Sequence, residues 1–120
     1  MTRFAALLFG ALLIVPTAAH EPKSAHGGVV RDAGDYHVEL VVKNTALDVY
    51  LVDHDDKPVT AMGHKAVAIF TVGGKAQRVE LAPASANKLS GTSSIALPSR
   101  LKGAVQITMP DGKTVQAKFD

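Results

Sequence analysis

The sequence predicts an all-β domain, an antiparallel β-sandwich or Greek-key barrel of seven or eight short strands, preceded by a signal peptide. Three observations carry that expectation. Apolar and polar residues alternate in short runs, turns bearing glycine or proline separate those runs, and nothing beyond residue 20 sustains a helical apolar period.

The head of the chain, "MTRFAALLFGALLIVPTAA", has a single charge at Arg3, an apolar run over residues 4–15 and small residues at its end. That is the layout of a secretory signal, and the apolar run is too short to cross a bilayer, which takes ~20 residues. Thr17 and Ala19 supply the small side chains that signal peptidase requires, which predicts cleavage after Ala19 and a mature chain beginning at His20. A cut after Ala18 is the alternative. The expected plan is a signal peptide over 1–19, a flexible arm over 20–27 and one β-sandwich domain over 28–120. About a hundred residues are enough for one core and not for two.

Within the body, "YHVELVVK" places Tyr36, Val38, Leu40 and Val42 on one face and His37, Glu39, Val41 and Lys43 on the other. "ALDVYLVDH" repeats the pattern with Leu47, Val49 and Leu51 inward, and Asn44-Thr45 joins the two runs as a tight hairpin. Further strands are expected in "AVAIFTV", "QRVELA", "NKLSG", "SSIAL", "AVQITM" and "TVQAKF". Gly73-Gly74-Lys75, Pro98-Ser99 and Pro110-Asp111-Gly112 mark turns between them. The predicted core contains Val38, Leu40, Val49, Leu51, Ile69, Val105 and Ile107, with Met109 sharing the parity of the last two.

Composition narrows the function classes. The net charge is +2, and loss of Arg3 leaves about +1 with histidines neutral, so no basic surface is offered to nucleic acid or anionic lipid. No membrane span is expected in the mature form. The chain has no cysteine, so any metal is held by nitrogen and oxygen, with methionine sulfur the only soft donor. There is no Gly-x-Ser-x-Gly elbow, and Ser93-Ser94 has no histidine near it in sequence, which disfavours hydrolases. No enzyme activity is expected. A copper oxidase built on an amino-terminal histidine brace is disfavoured by the absence of tryptophan and the scarcity of other aromatics.

All five histidines lie at or before residue 64. His20, once terminal, offers its α-amine and ring Nδ1 to one Cu(II), which favours nitrogen ligands in tetragonal geometry; the alternative is an uninformative terminus. His26 precedes two glycines that let the backbone turn sharply, as a ligand or as a solvated loop residue. His37 and Glu39, two apart on a strand, share a face and supply nitrogen and oxygen to one cation, or else belong to a plain polar surface. His54 sits in "DHDDKP", a metal cluster or an ordinary solvated turn, without the glycine and glutamate of a calcium loop. His64 follows Met62 in "AMGHK", a thioether and imidazole pair that suits copper, although a gap-filling methionine is the plainer reading.

The segment "AHGGVVRDAGDYHVELVVKNTALDVYLVDHDDKPV", continuing to "GKTVQAKF", resembles small exported bacterial proteins and similar modules in periplasmic adaptors of heavy-metal efflux pumps. The resemblance covers nearly the whole mature chain and implies a periplasmic β-domain linked with metal handling. Its matching positions are His26, Gly27, Gly28, His37, Glu39 and His54. A terminal His20 is also similar to the start of copper-resistance proteins of the CopC type, small Greek-key barrels; the sequence departs from them after that residue, leaving an analogy only. The expected function is therefore a periplasmic metal-binding protein of heavy-metal handling, resistance or efflux. Copper is the favoured metal, with zinc or another divalent transition metal as alternatives, and a periplasmic efflux component is the expected partner. The competing class is a non-metal interaction module of an envelope or efflux assembly.

Overall fold

The computed structural model describes residues 24–120, so the expected signal segment, its expected cleavage point and His20 lie outside the described residues. Eight antiparallel strands form one sheet: β1 (Val29–Ala33), β2 (Tyr36–Lys43), β3 (Ala46–Asp53), β4 (Lys65–Val72), β5 (Lys75–Ser85), β6 (Lys88–Thr92), β7 (Lys102–Thr108) and β8 (Thr114–Phe119). Their spatial order is β1-β2-β3-β6-β5-β4-β7-β8. Hairpins link β4, β5 and β6, and β7 returns to lie beside β4, which is a Greek key. The edges β1 and β8 come alongside one another without a hydrogen-bonded ladder, and the sheet is thus a nearly closed barrel.

Local chemistry explains the framework. β2 and β3 pair from Lys43↔Ala46 to Tyr36↔Asp53 around the two-residue turn Asn44-Thr45, where Asn44 takes the left-handed conformation at φ 59°. β5, the longest strand, pairs with β4 over 75–81 and with β6 over 82–85, with a register shift between Pro83 and Ser85. The exchange of partners between Leu81 and Ala82 carries β5 from one half of the barrel to the other, and the shift follows at Pro83, which cannot donate to a ladder. The interior is filled by alternate residues, among them Val38, Leu47, Val49, Leu51, Phe70, Leu89, Val105 and Ile107. Phe70 and Phe119 meet edge to face with centroids 6.3 Å apart.

Four expectations change. β1, absent from the alternating runs, is a strand, whereas "SSIAL" is not. The latter folds as a loop tied to the β2–β3 turn through Ser93 N to Thr45 O and Leu97 N to Asn44 O, both 2.8 Å. Ile69 is 48% exposed because Ala66, Ala68 and Phe70 take the inward parity of β4. Met109 is only half-buried, one residue beyond the end of β7. On β2 the outward Glu39 and Val41 are buried along with the inward Val38 and Leu40, so something covers the outer face of that strand.

The core assignment predicts that Leu51→Ala lowers the free energy of unfolding in urea by ~2–5 kcal/mol. Ile69→Ala, on the outer face, is expected to cost less than about 1 kcal/mol.

Candidate functional site

The cover on β2 is the chain just before β1. Glu39 is 6% exposed, and its two oxygens accept five hydrogen bonds from residues 24–28. Oε2 accepts from Ser24 Oγ at 2.8 Å, His26 N at 3.0 Å and Gly28 N at 2.8 Å. Oε1 accepts from Ala25 N at 3.2 Å and from the His26 ring Nδ1 at 2.9 Å. Backbone amides converging on one carboxylate form an anion nest, and a buried charge is tolerated only when so satisfied. The left-handed turn at Gly27, φ 76°, aims the amides on either side at the same oxygen. Gly28 must lack a side chain, since a Cβ there would collide with the Leu40 carbonyl and lie 2.8 Å from Val41 Cγ2.

This strap fixes the His26 ring. An ionised carboxylate only accepts, so Nδ1 carries a proton, and in the neutral imidazole Nε2 is the nitrogen that holds the lone pair. Tyr50, opposite Glu39 in the β2–β3 register, stacks on the ring with centroids 3.6 Å apart and planes 9° from parallel. The side chain remains 42% exposed and Nε2 has no protein partner among the described residues. Imidazole bonded through one nitrogen to a carboxylate and free at the other is the arrangement found behind metal-ligating histidines.

The other candidates sit elsewhere. His37 is held between two carboxylates, Nε2 3.3 Å from Asp32 Oδ1 and Nδ1 3.3 Å from Asp56 Oδ1, on opposite sides of the ring. His54 is exposed in the β3–β4 turn, 3.6 Å from Asp55 Oδ2. In that turn Asp53 Oδ1 accepts from the Asp55 and Lys57 amides, both at 2.9 Å. The Met62 and His64 pair is split across Gly63, whose φ is 80°: Met62 is 77% exposed, while His64 is buried, 6.0 Å from the Tyr36 ring. His64 Nδ1 reaches the Met62 carbonyl at 3.4 Å and Nε2 has no partner among the described residues. Among the described residues no three His, Cys, Asp or Glu side chains converge to hold one metal ion. Of the sequence candidates among the described residues, the structure brings together only His26 and Glu39, and Glu39 is already fully engaged, which makes it an orienting group. Tyr50 and Ser24 were missed. An outward tyrosine in "DVYLV" and a lone charge inside "VELVV" were the available signals.

Electrostatics follow from the same contacts. Burial pushes the Glu39 carboxyl up, while the His26 ring, the Ser24 hydroxyl and the Gly28 and His26 amides pull it down; the donors prevail and the group sits below its ordinary value of 4.5. The Lys57 amide, against slight desolvation, and then the Asp55 amide with the charges of His54 and Lys57, lower Asp53 as well. A carboxyl lowered by folding contributes stability that is present above its ordinary value and lost as pH falls through the folded value.

Glu39→Gln, which removes the charge and aims an amide at a nest of donors, is expected to cost about 1–3 kcal/mol in urea unfolding at neutral pH. Wild type should lose more stability than this variant as pH drops below 4.5, since the Asp53 contribution persists in both. Equal acid slopes would contradict the nest.

No family model, no curated protein and no solved structure matches the chain.

Proposed function

We propose that this chain is an exported, periplasmic metal-binding protein serving heavy-metal handling, resistance or efflux, with copper as its metal and His26 as the anchoring ligand. One observation carries the reading: the His26 ring is fixed by Glu39 and Tyr50, and its Nε2 has no protein partner among the described residues. Hydrogen bonding to a carboxylate raises the basicity of the coordinating nitrogen and sets its direction. Nitrogen ligands without thiolate suit Cu(II), which heads the divalent affinity order and binds such sites above zinc. In this reading the amine and ring of His20 supply the next two nitrogens, and Glu39 orients rather than ligates. The competing reading, a non-metal module of an envelope or efflux assembly, is favoured by the lack of three converging ligands among the described residues.

Titration of the purified protein with Cu(II) and Zn(II) at neutral pH distinguishes the two. Copper is expected to bind more tightly than zinc, His26→Ala to weaken copper by about tenfold or more, and His54→Ala to leave it unchanged. Equal copper affinity for wild type and His26→Ala would remove His26 from the site, and no binding at all would favour the interaction module.

A further inference from the structure

The two edges of the barrel do not meet evenly. At one end of the seam Gly34, just past β1, lies so close to β8 that a Cβ on it would be 2.7 Å from Val115 Cγ1. At the other end, beside Val29 and Phe119, the strands part to leave a cleft of about 450 Å³ bounded by the loop between β6 and β7. Its floor includes Leu40, Leu101 and Phe119, apolar residues only 3–5% exposed. Its rim carries two cations, Arg31 on β1 and Arg100 on the loop. Among the described residues neither has a carboxylate within salt-bridge distance, and Asp120 is the one acidic residue among them that lines the cleft.

Arg31 is held in place there. Its Nη1 donates to the Val30 carbonyl at 2.8 Å, and its guanidinium carbon stands 6.0 Å from the centroid of Phe119. The remaining N–H groups of its fork match the paired oxygens of a carboxylate or phosphate, and the volume falls within the range of small-molecule sites. A guest strand needs two inter-strand spacings of ~4.8 Å along the whole seam, which the contact of Gly34 with Val115 denies. The shape favours a compact ligand, and the charge favours an anion.

We propose that the cleft between β1 and β8 binds a small organic anion. Its apolar body lies on Leu40, Leu101 and Phe119, and its carboxylate or phosphate head is held by Arg31 and Arg100. This site uses other side chains than the metal reading, since among the described residues no histidine lines the cleft.

The test is NMR titration of the purified protein with four probes: octanoate, octyl phosphate, octanol and inorganic phosphate. Octanoate and octyl phosphate are expected to shift the resonances of Val29, Arg31 and Phe119 saturably, with octanol and inorganic phosphate each weaker by about tenfold or more. The tighter of the two organic anions identifies the head group, and either order supports the proposal. Arg31→Gln and Arg100→Gln are each expected to weaken octanoate by about tenfold while leaving the thermal midpoint in place. No saturable shift, octanol binding as tightly as octanoate, inorganic phosphate binding as tightly as octyl phosphate, or arginine variants that bind octanoate like wild type would each overturn it.

Discussion

A buried carboxylate on the outside of a strand governs the amino-terminal side of this domain. Glu39 lies in a run of apolar residues, on the face of β2 that alternation assigns to solvent, yet it is as buried as its neighbours. An ionised group out of water needs several donors, and residues 24–28 supply five. The strap, the glycine turn that shapes it, the covered face of β2 and the orientation of His26 are consequences of satisfying that one charge. Without the carboxylate, the amides of Ala25, His26 and Gly28 would lose their shared acceptor.

The barrel does its part by register. Pairing across the Asn44-Thr45 turn sets Tyr50 opposite Glu39 and brings an aromatic face under the imidazole. A slip by one residue would turn Tyr50 inward and put Leu51 in its place, so the hairpin is what couples fold to site. The same closure leaves β1 and β8 touching at one end and parted at the other, which places an arginine-rimmed cleft next to the strap. Ser24 belongs to both, donating to Glu39 while lining the cleft.

Most of the fold was legible because period-two alternation reports directly on which side chains face the interior. Val38, Leu40, Val49, Leu51, Val105 and Ile107 were read correctly on that basis. Ile69 was not, because β4 fills its inward positions with two alanines and Phe70, leaving the bulkier isoleucine outside. "SSIAL" alternates like a strand, but its amides bond to the β2–β3 turn instead of a neighbouring strand. β1 was overlooked since a strand of five residues containing Arg31 and Asp32 carries too little apolar signal. At the site, the sequence suggested that His26, His37 and Glu39 were of interest without showing how they differ. The shared face of His37 and Glu39 is real, yet His37 is committed to Asp32 and Asp56 and Glu39 to the strap. Only contacts distant in sequence, such as Ser24 to Glu39 or His26 to Tyr50, make that distinction, and periodicity carries no information on them.

The most direct measurement is the tautomeric state of His26, read from long-range nitrogen–proton correlation in the NMR spectrum of the metal-free protein at neutral pH. The Glu39 contact places the proton of the neutral ring on Nδ1, where the carboxylate accepts it, and the lone pair on Nε2. A His26 ring protonated at Nε2, or one exchanging freely between tautomers as in an unstructured peptide, would contradict it.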